Sequence, residues 1–177
     1  MLLRHLPNLL TTLRLAAAPA TAGLLAGGHF GAALGLFTFA GISDAADGFL
    51  AKRFGLSTPL GRFLDPLADK VLVLGALIAL VAEGAFWWVP VALIAVREVV
   101  ISAYRSYVGR RGISVPARRW AKIKTIVQEV AVGFALLPLT SDDKWVATAV
   151  LWVAVVLTLA TGAQYLLDGR RSQLRAL

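Results

Sequence analysis

Four carboxylates stand close together in a chain otherwise poor in charge. Asp44 and Asp47 belong to the stretch Asp44-Ala45-Ala46-Asp47-Gly48-Phe49-Leu50-Ala51-Lys52, and Asp65 and Asp69 to Gly61-Arg62-Phe63-Leu64-Asp65-Pro66-Leu67-Ala68-Asp69. Apolar residues make up 58% of the sequence and charged residues 16%, too hydrophobic a balance for an ordinary soluble domain. At mid-membrane depth each Asp costs roughly 2.5–3.5 kcal/mol on insertion scales, so four together call for a neutralising partner. The spacing supplies a place for one. Asp44 and Asp47 are i,i+3 and Asp65 and Asp69 are i,i+4, so each pair falls on one helix face with about 5–6 Å between Cβ atoms. Two helix ends that each carry two carboxylates can meet as a cup of hard oxygens. With no His or Cys in the set, Mg2+, Mn2+ or Ca2+ fits better than zinc. Gly48 and Ala51 beside the first pair, and Gly61 ahead of the second, leave room for a bulky ligand to approach the backbone.

Around this cluster the chain divides into six hydrophobic stretches: Leu9–Ala26, Phe30–Phe49, Val71–Ala82 with helical extension toward Gly61, Phe86–Val108, Ile123–Leu139 and Trp145–Leu167. Most approach the ~20 residues that a membrane-crossing helix needs. The third is short unless it begins in the polar Asp65–Lys70 turn, as expected of a helix that starts at the site. The expected fold is therefore all-α: a single domain over 1–177, a bundle of six transmembrane helices. An N-terminal interfacial helix precedes the first span. Arg4 followed by an apolar run and small residues faintly resembles a secretory leader, but Arg14 interrupts the run and further apolar spans follow, so a first membrane helix is the expectation.

Orientation follows from Lys and Arg. Apart from Lys144 and the Arg97 of span four, basic residues lie at the termini, in the connections after spans two and four, and on the span ends beside them. Gly27-Gly28-His29, Glu83-Gly84 and Ser141-Asp142-Asp143-Lys144 are nearly bare of positive charge. The positive-inside rule then puts both termini and the Asp cluster on the cytoplasmic side, with the active site in the cytoplasmic half of the bilayer. Trp87, Trp88 and Trp145 fall at the outer interface and Trp120 at the inner one, where membrane anchoring alone accounts for them. The net charge of +8 is explained by cytoplasmic loops and anionic lipid, not by nucleic acid. With no cysteine, disulfides, thiol nucleophiles and zinc ribbons are excluded.

Other polar residues inside or beside the spans are candidates for the same site. Asn8, Thr11 and Arg14 recur at i,i+3 and share a face, which can look into the site or serve only for capping and snorkelling. Arg97-Glu98 lies deep in span four, either functional or a structural ion pair. Arg105, Arg110, Arg118, Arg119, Lys122 and Lys124 form a basic collar that suits a phosphate-bearing, water-soluble substrate or an anionic lipid surface. Gln128 and Glu129 in span five are expected to face the bundle interior, through interhelical hydrogen bonds and an ion pair with a span-four cation.

The pattern D-x2-D-G-x2-A-[RK]-x8-G-x3-D-x3-D, from Asp44 to Asp69, resembles the signature of the CDP-alcohol phosphatidyltransferases, integral membrane enzymes that build phospholipids from a CDP-activated lipid. One position departs from it: Lys52 stands where the family usually has Arg, giving a point charge in place of a bidentate fork. Leu6-Pro7-Asn8-Leu9-Leu10-Thr11-Thr12-Leu13-Arg14 resembles the family's opening P-N-x-L-T-x-x-R segment. Arg97-Glu98-Val99-Val100-Ile101-Ser102 and Lys122-Ile123-Lys124-Thr125 resemble segments of its phosphatidylglycerophosphate synthase branch. The resemblance implies CDP-diacylglycerol as donor, sn-glycerol 3-phosphate as acceptor, release of CMP, two Mg2+ or Mn2+ ions, a homodimer and a bacterial-type plasma membrane. Asp44, Asp47, Asp65 and Asp69 become the metal ligands, with Asp69 also the general base. Asn8, Thr11, Arg14, Gly48, Ala51, Lys52 and Gly61 become donor contacts, and Arg97, Arg105, Arg110, Arg118, Arg119, Lys122 and Lys124 candidates for the acceptor phosphate.

Other readings stay in view. The same family includes enzymes that take inositol phosphate as acceptor, or phosphatidylglycerol to make cardiolipin. From a different class, a divalent-cation transporter could use four Asp as a transit site. There the Asp cluster would lie midway through the membrane, and Gly48, Ala51 and Gly61 would have no role. A catalytically silent scaffold would have no reason to keep all four Asp.

Overall fold

The computed structural model describes the backbone over residues 6–54, 59–111, 120–137 and 144–174, and side chains over 11–43, 64–65, 67–111, 123–137 and 144–170. Every described regular element is a helix: α1 (Leu6–Ala26), α2 (Phe30–Phe54), α3 (Pro59–Ala82), α4 (Trp88–Arg110), α5 (Trp120–Leu136) and α6 (Trp145–Leu174). Helix α3 begins at Pro59, so the extension toward Gly61 is realised and passes through Asp65 and Asp69. The expected separate N-terminal helix is not found. Residues Leu6 to Ala26 form one unbroken helix, because Pro7 sits in its first turn, where a missing N–H costs nothing.

The ends of α1 and α3 have the same cause. Gly28 and Gly84 adopt φ of 73° and 69°, the left-handed conformation that glycine reaches without steric penalty. His29 N–H then donates to Leu24 O and Gly28 N–H to Leu25 O. Ala85 N–H donates to Leu80 O and Gly84 N–H to Val81 O. Both are Schellman stops, which satisfy carbonyls that the helix end leaves open. Helix α5 ends at Leu136, three residues before the expected limit, since Leu137 precedes Pro138 and the α conformation is disfavoured there.

The chain divides into two compact units. One comprises residues 1–86 and 132–144, the other 87–131 and 145–177. In the first, α1 packs on both α2 and α3, and α2 touches α3. In the second, α4 packs on α6. Small residues make much of the interior: Ala17, Ala18, Ala33, Ala68 and Ala76 in the first unit, Ala131, Ala147 and Ala154 in the second. Large apolar side chains point outward, among them Phe39, Ile42, Ile78, Val96, Val99 and Val156. Leu25, Leu72, Leu77, Leu80 and Ile94 are buried as well, so large apolar side chains lie both inside and outside. Helices in lipid gain little by burying Leu or Ile and much by approaching closely through Ala and Gly.

By length and composition α6 alone, over Trp145–Arg170, suffices among the described residues to cross a bilayer, and Phe30–Ser43 of α2 is a shorter apolar run. Thus the all-helical expectation is met, whereas six separate spans are not established. The reasons are visible in the elements. Helix α5 has 17 residues, about 25 Å at 1.5 Å per residue, short of a ~30 Å hydrocarbon core. Arg97, Glu98 and Arg105 interrupt α4, and Arg62, Asp65, Asp69 and Lys70 occupy the first half of α3. Trp87 and Trp88 at the start of α4, and Trp145 at the start of α6, are all exposed, as membrane-interface anchors would be.

Candidate active site

In the first unit the signature is carried on two helices. Asp44, Asp47, Gly48, Ala51 and Lys52 lie in the C-terminal part of α2, and Gly61, Asp65 and Asp69 in the N-terminal half of α3. Both Asp pairs therefore stand one helical turn apart, as the spacing requires. The side chains of Asp44, Asp47, Ala51 and Lys52, like that of Asn8 at the start of α1, lie outside the described residues, as do the surroundings of Gly48 and Gly61. Asp65 and Asp69 are half-buried. Among the described side chains no group of three metal-binding residues is assembled. The two carboxylates that are described offer the hard oxygen donors that Mg2+ or Mn2+ prefers.

Helix α1 reaches Asp65 directly. Thr11, 1% exposed, donates its hydroxyl to Asp65 Oδ1 at 2.5 Å. The Thr expected to touch the donor lipid thus holds a carboxylate of the signature. Arg14, one turn further along α1, is 2% exposed. It lines a groove of about 240 Å³ between α1 and α2, together with Leu13, Ala17, Leu36, Phe39 and Ser43. The groove is almost wholly apolar and reaches Ser43, the residue before Asp44.

In the second unit Arg97 and Glu98 of α4 and Lys124 of α5 are gathered into a buried polar cluster. All three guanidinium nitrogens of Arg97 are engaged: Nε donates to the Thr158 carbonyl at 2.9 Å, Nη1 to Glu98 Oε1 at 2.9 Å and Nη2 to Thr161 Oγ1 at 3.0 Å. The same Glu98 oxygen pairs with Lys124 Nζ from α5. Gln128 Nε2 donates to Thr158 Oγ1 at 2.9 Å, which is the interhelical bond expected of Gln128. Gly162 makes room for the cluster, since a Cβ there would stand 3.0 Å from Arg97 Nε. Of the remaining basic candidates, Arg105 and Arg110 are exposed on α4. Arg118 and Arg119 lie outside the described residues, and Lys122 is on α5 with its side chain outside them. Thr158, Thr161 and Gly162 were not singled out by sequence. Their signal is two hydroxyls one turn apart, followed by glycine, in the helix that among the described residues is long and apolar enough to cross a bilayer.

The family model for CDP-alcohol phosphatidyltransferase matches residues 4–160, which includes every described element except the end of α6. The chain belongs to this family. As a CDP-alcohol phosphatidyltransferase it is a transferase associated with membranes. Among curated relatives it is 42% identical over 168 residues to a probable phosphatidylglycerophosphate synthase of Mycobacterium tuberculosis, covering 91% of this chain and 79% of the relative. It is 39% identical over 172 residues to a CDP-diacylglycerol–glycerol-3-phosphate 3-phosphatidyltransferase of Pseudomonas fluorescens, covering 92% and 88%. It is 41% identical over 145 residues to the enzyme of the same name from Escherichia coli, covering 80% and 79%.

Proposed function

We propose that this phosphatidyltransferase moves the phosphatidyl group of CDP-diacylglycerol to sn-glycerol 3-phosphate, releasing CMP and forming phosphatidylglycerol phosphate. The observation that carries the reading is the signature from Asp44 to Asp69, with all four of its Asp, on α2 and α3, in a chain about 40% identical to relatives named for this reaction. The transfer joins an unreactive alcohol to a negatively charged pyrophosphate. Divalent metal at the carboxylates, Mg2+ or Mn2+ as two ions, would neutralise the pyrophosphate and stabilise the leaving CMP. Asp44, Asp47, Asp65 and Asp69 hold it, and Thr11 fixes the orientation of Asp65. Asp69 also takes the proton of the glycerol hydroxyl, a base being required because the alcohol's own pKa is far above 7.

Gly48, Ala51 and Gly61 leave space for the cytidine, and Asn8, Arg14 and Lys52 meet the donor's polar part. The apolar groove beside Arg14 suits hydrocarbon. The cations of α4, α5 and their connection serve the acceptor phosphate. Both termini and the site face the cytoplasm of a bacterial-type plasma membrane, and the enzyme works as a homodimer in a bundle of six spans. An acceptor panel tests the reaction: purified protein with CDP-diacylglycerol and, separately, sn-glycerol 3-phosphate, inositol phosphate or phosphatidylglycerol, scored by CMP release. Release with sn-glycerol 3-phosphate alone is expected. Release only with another acceptor would transfer the chain to a different branch of the family, and metal flux into proteoliposomes without CMP release would favour transport.

A further inference from the structure

Helix α1 carries two open polar groups near its middle. Pro19 lies inside the helix. A proline nitrogen has no hydrogen, so the Leu15 carbonyl one turn earlier lacks its helical partner, and the proline ring crowds that carbonyl. Two residues on, Thr21 is 0% exposed and its hydroxyl has no hydrogen-bond partner. The usual outlet for a helical hydroxyl is the carbonyl four residues back. Ser43, Ser102 and Thr161 all take it, donating to the carbonyls of Phe39, Glu98 and Leu157. Thr21 makes no such bond to Ala17. Back-bonding of this kind goes with bent helices, and proline is where helices kink. A bend at Pro19 therefore favours a bond that α1 leaves unmade in this conformation.

The two halves of α1 are held differently. After Pro19 the helix is fastened: Thr21 and Leu25 are fully buried, and a Schellman stop closes its end. Just before Pro19, Ala18 meets α3 at Gly75, where an added Cβ would stand 3.6 Å from that of Ala18. Further back, Leu13 and Ala16 are exposed. With Ala17 and Ala20 they form the α1 wall of the groove, opposite Leu36 and Phe39 of α2. This half is tied to α3 through Thr11 and Asp65.

We propose that α1 is a lateral gate: residues 6–18 swing about Pro19, pivoting where Ala18 meets Gly75, to widen the α1–α2 groove for one hydrocarbon chain of the donor lipid, with the Thr11–Asp65 bond as the latch of the closed arm. The inference rests on the reading of that groove given above and adds to it how the lipid enters. A two-chain lipid comes from the bilayer, so a helix must yield for its head to reach Asp65 while its chains stay in hydrocarbon. Opening loses the Thr11 bond and gains the Thr21 bond. A lipid seated in the groove tips such a balance because it fits one conformation better.

Distances between two spin labels test this on the full-length protein in nanodiscs, with Mg2+ and no acceptor, so that nothing turns over. The chain has no cysteine, and Thr12→Cys with Ile78→Cys gives one label on the arm and one on the exposed side of α3. Thr12 is seven residues before Pro19, about 10 Å of helix, so a bend of about 20° moves it by about 4 Å. Adding CDP-diacylglycerol is expected to raise the displaced population at least twofold. Pro19→Ala, which restores the missing N–H, should lower that population at least twofold. Thr21→Val should do the same while keeping the shape of the side chain, and serves should Pro19→Ala fail to fold. Thr11→Val, which removes the latch, should raise the displaced population before any donor is added. A single distance that neither the donor nor these substitutions change would overturn the gate, even in a protein that releases CMP with sn-glycerol 3-phosphate. A protein that moves as expected but transfers to no acceptor would overturn the proposed reaction and leave the gate standing.

Discussion

Replacing Thr11 by Val probes the hydroxyl that meets Asp65. The substitution keeps the β-branched shape and removes one hydroxyl, the donor to Asp65 Oδ1 at 2.5 Å. Thr11 is 1% exposed, so water has little access to take the place of that donor. Two effects oppose each other. Without the hydroxyl the carboxylate keeps more negative charge for a metal, which favours binding. Without it the carboxylate also gains rotational freedom, and its productive orientation must be found at the moment of binding. A hydrogen bond to a charged acceptor is worth roughly 1.5–3 kcal/mol, and loss of a partner that orients a metal ligand typically costs 10–100-fold in affinity. Orientation therefore dominates, and Mn2+ affinity is expected to fall by about tenfold or more, at 1.36 kcal/mol per decade. Titration of Mn2+ followed by electron paramagnetic resonance reads this directly, without turnover. Thr11→Ser, which retains the hydroxyl, should recover most of the loss. Unchanged or tighter Mn2+ binding in Thr11→Val would refute the reasoning, because Thr11 would then be only a packing residue.

Three further outcomes are expected. Asp69→Asn should abolish CMP release while CDP-diacylglycerol still binds, measured by equilibrium dialysis with labelled donor; near-normal turnover would remove Asp69 as the base. Exhaustive chelation with EDTA should stop the reaction, and Mg2+ or Mn2+ should restore it; full activity in chelated membranes would remove the metal. Gly169→Ala should lower thermal stability in detergent by about 1–3 kcal/mol, the usual cost of overpacking, because a Cβ there would stand 2.5 Å from Tyr104 Oη. Tyr104→Phe in the same background should recover part of that loss by removing the atom in conflict.

Each described helix contains one of the expected apolar runs, because apolar runs and glycine stops are local signals, but the runs end before the polar last turns of α2 and α6, which reach Phe54 and Leu174. Gly28 and Gly84 mark helix ends that any reading of the chain would place nearby. The carboxylate signature was legible for a different reason: its spacing encodes helix faces, and helical backbone through Asp44, Asp47, Asp65 and Asp69 is what the spacing needs. What resisted reading was the choice of partner. Arg97 beside Glu98 suggested an ion pair, but nothing local indicated that its remaining nitrogens would be taken by α6. Nor did the sequence say that Lys124 would supply an ion pair reaching across from α5 to α4. Thr11 presented a hydroxyl on the expected face, yet its acceptor lies 54 residues away on α3. Such pairings depend on how helices pack, and periodicity carries no information about that.

The second unit shows why a polar cluster can be kept in so apolar a helix pair. Leu, Ile and Val gain almost nothing by facing each other when the alternative is lipid, so Val96, Val99 and Val156 can point outward at no cost. What holds α4 against α6 must then come from close approach and from polar groups that find no partner in hydrocarbon. Gly162 supplies the first, and the Arg97 bonds to Thr158 and Thr161 supply the second. Each buried donor left unsatisfied costs about 1–3 kcal/mol. Separating α4 from α6 would expose several such groups at once, which makes the register between them sharply defined. A residue attached to that frame, as Glu98 is through Arg97, inherits its rigidity. The same bonds that fasten the helices thereby place the Lys124 ammonium.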